Sequence, residues 1–334
     1  MRLIIGGLAE GTTPPPAPPQ GRLRGAVDLF MLDRKGLDVS PWTERFYNAH
    51  LGAFLRWLEA ERPRVRGIED ITVDDVRAYR AHMASRRPLN NPHKPSLERE
   101  TLHGSQRALR ALFRWARADG YLIDDRILGL RLTTVPQKEM TVFTADQLRR
   151  ILAACTAPEE EVAVRLLVGS GVRRAEAVGL CTRAPDGLPD ITLDSLDRGH
   201  ADLRVRWNAG AKGQKTRRVP ITPALAARVR RYEARERPAV GYSELLISAA
   251  GRPFTMGGLD SMMDRLRRRV GFRVHCHAFR HTFATVMASE GANLERLRTM
   301  LGHEDYHTLL RYVRLATVRD LGARKEWEKL VALP

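Results

Sequence analysis

The sequence predicts a mainly α-helical protein with a small antiparallel β-sheet, an N-terminal helical bundle being followed by a mixed α+β domain. Three observations carry this. Apolar residues recur at helical spacing through most of the chain. One run, Leu203, Val205 and Trp207 alternating with Arg204 and Arg206, has the period of two of a half-buried strand. The length of 334 residues allows two domains, and residues 126–142 between the periodic regions carry no good period.

Residues 1–25 are rich in proline and glycine, including Pro14-Pro15-Pro16-Ala17-Pro18-Pro19, and are expected to form a disordered extension with some polyproline character. Residues 26–125 read as all helix. Leu51, Phe54, Leu55 and Leu58 repeat at i, i+3, i+4 and i+7. Thr72 is placed as an N-cap, with Ile71 and Val76 as a staple across it. Leu102, Leu109, Leu112, Phe113 and Ala116 form an apolar stripe that Gly120 stops. On that helix Arg107, Arg110, Arg114 and Arg117 share a face, which is either a solvated surface or a contact for a polyanion.

Residues 126–142 are read as a linker. Thr144-Ala145-Asp146-Gln147 is a capping box that opens the second domain, 143–334, and Thr156-Ala157-Pro158-Glu159 reads as another box, opening a helix toward Gly169. Arg217–Ile221 is the expected partner of the strand at 203–207, with 208–216 as the hairpin loop. Thr222-Pro223 starts a helix by N-cap and N1 proline. Met262, Leu266 and Val270 mark one more, flanked by Arg265, Arg267, Arg268 and Arg269.

Fifty-six basic residues against 39 acidic give a formal net charge of +17, a balance that favours a polyanionic partner, nucleic acid above all. Three cysteines without a C-x-x-C pair argue against a disulfide framework and for a reducing compartment. No apolar run approaches the roughly 18 residues that span a bilayer, and the N-terminus is a poor signal peptide. The expected location is the cytoplasm, with the nucleoid in it.

The chemistry concentrates late in the chain. Arg280 is a planar donor fork suited to two oxygens of a phosphate. His277 lies three residues before it, on the same face of a helix. His303 adds an imidazole and Tyr312 a phenol. Histidines, an arginine and a tyrosine, with no carboxylate among them, suit attack on a phosphodiester better than acyl or glycosyl transfer. A metal site built from His275, Cys276, His277, His281, His303 and His307 is disfavoured, because His275 and His277 alternate and carboxylate ligands are missing. His281 is expected to be a buried hydrogen-bonding residue, and Cys276 a small packed one.

The run from His277 to Thr285, HAFRHTFAT, resembles the H-x-L-R-H-x-x-A-T box of the tyrosine recombinases, the phage integrase family, with Phe279 where leucine is usual. Leu301-Gly302-His303 is similar to that family's L-G-H element, and Tyr312 falls where the family keeps its nucleophile. Residues 171–180, GVRRAEAVGL, resemble its first box, and 211–220, AKGQKTRRVP, its lysine hairpin. Four pieces in the family's order and approximate spacing make the resemblance specific over residues 143–315.

The resemblance implies a site-specific recombinase in which Tyr312 forms a 3′-phosphotyrosyl bond with DNA. Arg173 and Arg280 would clamp the non-bridging oxygens, Lys212 would protonate the leaving oxygen, His277 would assist proton transfer and His303 would donate to the phosphate. Glu176 would orient the site. It implies no metal or other cofactor. Residues 26–125 would be a core-binding domain that clamps DNA, Arg107, Arg110, Arg114 and Arg117 touching the backbone. The tail after Tyr312 would dock on a neighbouring protomer, linking a tetramer on paired duplexes. Lys215 competes with Lys212, and Tyr306 with Tyr312. A type IB topoisomerase-like relaxing enzyme and an inactive DNA-binding protein of the same fold are the alternative functions. Residues 181–199 look longer than the family's usual link, as an insertion or as a partner surface.

Overall fold

The structure, a computed structural model, describes residues 23–37, 39–87, 96–136, 139–192, 201–206, 216–302 and 306–318; of 306–308 and 317–318 it describes the backbone alone. The chain divides into two compact units, within residues 1–138 and 139–334.

The first unit is helical: α1 (Leu23–Gly36), α2 (Pro41–Glu61), α3 (Val73–Ser85), α4 (Arg99–Ala118) and the short α5 (Arg126–Gly129). Ser40 caps α2 ahead of a proline at its first position, and the Thr72 hydroxyl accepts from Asp75 N, opening α3 as expected. Asp75 closes the box and is itself buried, bound by Arg62 and Arg64. The core gathers Phe30, Leu51, Phe54, Leu58, Val76, Tyr79, Leu109, Leu112 and Phe113.

Two expected boundaries move. The extension was expected to run to residue 25, yet α1 begins at Leu23, because Leu23, Ala26, Val27 and Phe30 form a buried face at i, i+3, i+4 and i+7; residues 1–22 lie outside the described residues. The linker was expected from 126, yet Ile127 on α5 is buried in the first core, while Met140, Val142 and Phe143 are buried in the second unit. A four-residue helix is too short to show a period, so the sequence concealed these anchors.

The second unit runs α6 (Ala145–Ala153), α7 (Pro158–Ser170), α8 (Arg174–Val178), β1 (Ile191–Thr192), β2 (Ala201–Val205), β3 (Arg217–Ile221), α9 (Pro223–Arg231), α10 (Met256–Val270), α11 (Cys276–Ser289), α12 (Leu294–Leu301) and α13 (Tyr306–Val318). The box at Thr144 and the N-cap with its N1 proline at Thr222-Pro223 form as expected. The box expected at Thr156 does not. Ala157 is the N-cap of α7, and Thr156 instead donates its N–H, and its hydroxyl, to Glu160. Strands β2 and β3 pair antiparallel with Leu203 opposite Val219. The unforeseen β1 adds a third strand, Ile191 opposite Leu203. Within the long segment, residues 181–192 fold onto their own unit: Asp190 is fully buried, accepting from Cys181 N and paired with Arg204 and Arg206. Trp207 and residues 193–200 lie outside the described residues. No described helix is long and apolar enough to cross a membrane.

Candidate active site

The site is built where four chain segments end. Helix α7 stops at Gly171 in the left-handed region (φ 63°), and a Cβ there would meet the Phe283 ring at 2.4 Å, so only glycine fits. The turn leaves the Gly171 carbonyl pointing at α11, where Arg280 Nη1 donates to it at 2.7 Å. Two residues on, Arg173 opens α8. Its backbone N–H donates to Glu176 Oε2 at 2.7 Å and its Nη1 to Oε1 at 2.9 Å. Its Nη2 donates to the carbonyl of Gly302 at 2.7 Å.

Glu176 has no exposed surface. Arg217 at the start of β3 closes its other side with two bonds of 2.9 and 2.8 Å, and Arg217 Nε donates to Met300 O at 2.8 Å. Desolvation works to raise the Glu176 pKa, but the Arg217 guanidinium, helped by Arg173, holds the carboxyl below its ordinary range. One carboxylate therefore ties α8, β3 and the end of α12 together. Gly302, also left-handed (φ 61°), lies against the Arg217 guanidinium, 3.1 Å from where a Cβ would stand.

Arg280 is 1% exposed. Nη1 and Nη2 donate to the carbonyls of Gly171 and Leu301, the latter at 2.5 Å. Its Nε is buried with no hydrogen-bond partner among the described residues. Burial, and then the neighbouring Arg173, pull its pKa down to about 9, which still leaves it charged at neutral pH.

Along α11, His277 and His281 stand one turn apart, rings edge to face with centroids 4.4 Å apart. His281 Nδ1 is 3.1 Å from the Tyr312 hydroxyl on α13. His277 keeps an open edge to solvent, while burial of the rest of its ring and the charge on Arg280 lower its pKa to about 4. Burial and then His277 lower that of His281 to about 3. Tyr312 is 1% exposed; burial raises its pKa against the opposing pull of Arg280, Arg311 and Arg173. Both imidazoles are neutral at working pH and the phenol keeps its proton.

Arg173, Glu176, His277, Arg280 and Tyr312 thus meet in one neighbourhood. Lys212, its competitor Lys215 and His303 lie outside the described residues, as does the side chain of Tyr306. In the first unit the four α4 arginines do not behave alike. Arg107 and Arg114 are exposed. Arg110 turns inward and donates to the Leu130 carbonyl, and Arg117 reaches Asp125 at 3.3 Å. Arg217 was not singled out from sequence, and His281 was expected to be a buried hydrogen-bonding residue but with no partner named. Arg217 carried a signal: it stands on the same strand face as Val219 and Ile221, and a charge at an inward position implies a buried partner. The contact of His281 with Tyr312 carried none, because it depends on how α13 packs on α11.

Cations gathered round a phenol, with the nearby carboxylate already neutralised by arginines, suit transesterification at phosphate, the chemistry of strand-transferring enzymes. Residues 141–319 match the phage integrase family, and the chain belongs to that family, the tyrosine recombinases. It is 30% identical to tyrosine recombinase XerC of Rhodospirillum centenum over 82% of this chain and 77% of that protein. It is 28% identical to tyrosine recombinase XerA of Thermococcus kodakarensis over 90% and 93%. The fold is that of lambda integrase, solved as a dimer bound to a COC′ core site (TM-score 0.64, 15% identity, 90% of this chain and 79% of that one). The same integrase is also solved as a tetramer bound to a Holliday junction (TM-score 0.61, 16% identity, 85% and 78%).

Proposed function

We propose that this tyrosine recombinase cuts and rejoins duplex DNA at specific sites with Tyr312 as nucleophile, in the cytoplasm on nucleoid DNA. The observation that carries the residue assignment is Arg280. A buried N–H left without a partner costs about 1–3 kcal/mol, and Nε–H sits among Arg173, Tyr312 and two helix ends, where a phosphate oxygen would satisfy it.

In the reaction, Tyr312 Oη bonds to phosphorus, the bond from phosphorus to the 5′-oxygen breaks, and the chain is held as a 3′-phosphotyrosyl ester. Arg173 and Arg280 stabilise the charge that grows on the non-bridging oxygens. His277, neutral, assists proton transfer from the phenol; Lys212 protonates the 5′-oxygen; His303 donates to the phosphate; Glu176 keeps Arg173 in place. The ester conserves the bond for attack by a second 5′-hydroxyl, so the cycle needs no cofactor and no metal. In the first unit, Arg107 and Arg114 are the α4 arginines presented to a DNA backbone. The lambda integrase tetramer on a Holliday junction supports a tetramer on paired sites for this chain too; the tail after Tyr312, whose residues 319–334 lie outside the described residues, would link protomers.

Selection from random duplexes supplies a bound sequence, and a suicide-nicked form of it traps cleavage. Wild-type protein is expected to give a covalent adduct, and Tyr312→Phe to give none while binding DNA equally. Tyr306→Phe keeps the adduct. Loss of the adduct in Tyr306→Phe, or its survival in Tyr312→Phe, would overturn the assignment.

A further inference from the structure

A nucleophile has to meet its phosphodiester, yet Tyr312 is 1% exposed. Its ring rests against His281, centroids 5.6 Å apart, with the hydroxyl 3.1 Å from Nδ1. Both partners are neutral, so one of two bonds joins them: the phenol O–H donates to Nδ1 when the ring proton is on Nε2, or Nδ1–H donates to the phenol oxygen in the other tautomer. The groups facing His281 are His277 and His275 on its own side, Arg280 beside it and Arg311 from α13, and all of them oppose a positive charge on the ring. Such an imidazole is far too weak a base to take a phenol's proton. The hydrogen bond therefore leaves the proton on the tyrosine and holds the side chain against α11. The neighbouring Arg280 is occupied in the same way, its terminal nitrogens spent on the carbonyls of Gly171 and Leu301.

We propose that His281 is a positioning residue that latches the Tyr312 hydroxyl against α11 in the DNA-free enzyme, and that this hydrogen bond is released before Tyr312 attacks. The proposal rests on Tyr312 being the nucleophile. A latch lowers the fraction of enzyme competent to cut, so weakening it raises the observed rate in proportion. A net contribution typical of one neutral hydrogen bond corresponds to a rise of roughly three- to tenfold.

The test is single-turnover adduct formation by the full chain on a suicide duplex carrying one selected site. His281→Phe keeps a ring against Tyr312 and His277 but removes the nitrogen that the phenol bonds. It is expected to cut roughly three- to tenfold faster than wild type with unchanged DNA affinity. His281→Asn, whose oxygen can stand near the Nδ1 position, should return the rate toward wild type. A rate for His281→Phe equal to wild type, or slower with a shifted pH profile, overturns the latch; the slower outcome makes His281 part of the chemistry. Tyr312→Phe, run alongside, separates the two claims, since an adduct in that variant removes the nucleophile assignment itself. Hydrogen exchange of DNA-free Tyr312→Phe gives a readout independent of the fate of His281→Phe. Amides of 306–318 should exchange faster than in wild type, and unchanged protection overturns the proposal.

Discussion

Glu176 and Asp190 are alike in every local respect: both are fully buried, and each is clamped by two arginines. Their arginines differ in what else they hold. Arg173 and Arg217 go on to the carbonyls of Gly302 and Met300, so Glu176 fixes the end of α12 beside Arg280. Arg204 goes on to Asp186, and Arg206 to the Gly179 carbonyl, so Asp190 fixes the 181–192 segment on β2. The same costly device, a buried ion cluster, serves a reaction in one place and a chain connection in the other. A buried arginine–carboxylate cluster is therefore no sign of catalysis by itself. Nor is a buried guanidinium N–H without a partner among the described residues such a sign alone, since Arg228 has one as well as Arg280; what marks the Glu176 cluster is that Arg280 stands beside both it and Tyr312.

The largest expected effect breaks this pair apart. Glu176→Gln leaves Arg173 and Arg217 without the counter-charge they share and should lose about 3–5 kcal/mol of stability in denaturant unfolding, whereas Asp190→Asn leaves Arg204 its pair with Asp186 and should lose less. Cleavage should separate them. At a temperature where both variants are folded, Asp190→Asn should cut suicide DNA within about threefold of wild type, and Glu176→Gln at least about a hundredfold more slowly, a displaced Arg173 losing what one fixed donor contributes. Equal losses of cleavage would show that the 181–192 segment also shapes the site.

Much of this was legible in the sequence. The N-cap at Thr72, the box at Thr144, the alternation at Leu203 and Val205, and the stripe Leu109, Leu112, Phe113 are local patterns, and each became the element it predicted. The failures are of another kind. β1 is two residues long and exists only because β2 offers it an edge. Thr156 lost its cap position because its N–H and hydroxyl turn to Glu160, itself held by Arg269 from α10. Arg110 has the helical spacing of its neighbours, and only the passing of Leu130 draws it inward. In the site, residue types could be read from motifs, but the clamp of Arg217 on Glu176 and the seating of Tyr312 on His281 depend on contacts between distant segments.

Acid should dismantle the site in two stages, and this sharpens the contrast between carboxylate and imidazole. His277 and His281 have pKa values lowered to about 4 and about 3, so below the ordinary histidine pKa, about 6.5, the unfolded chain binds protons that the folded one refuses. Stability is then lost as pH falls from about 6.5 to about 4 for His277 and on to about 3 for His281. Glu176 acts in a lower window: its pKa is depressed, so its contribution is intact above the ordinary glutamate value and goes as pH falls through the folded one. Melting temperature should drop from pH 6.5 downward, by roughly 2–4 °C for each kcal/mol lost. His277→Gln should flatten the upper part of the curve and Glu176→Gln the lower. A wild-type curve that is level between pH 6.5 and 5 would contradict the lowered pKa values of these two histidines.

The smallest expected effect on stability lies in the first unit, where the arginines of α4 stand at the surface and the question is which of them meet DNA. Arg107 and Arg114 are exposed and make no ion pair among the described residues. The double variant Arg107→Ala, Arg114→Ala should change unfolding free energy by less than about 0.5 kcal/mol, as exposed substitutions usually do. Each phosphate contact contributes about 0.9 to the slope of log K against log salt on B-DNA. If both arginines meet the backbone, the slope should flatten by nearly two units, with affinity lost about equally on selected and unrelated duplexes. Arg117→Ala removes a guanidinium that already has Asp125 beside it and should alter the slope less. Arg110→Ala should do the reverse of the double variant, costing about 0.5–1.5 kcal/mol of stability through its lost bond to Leu130 while leaving the slope near its original value. A slope unchanged in the double variant would assign this face to solvent or to a protein partner, and the DNA contacts of the first unit would have to be sought on another helix.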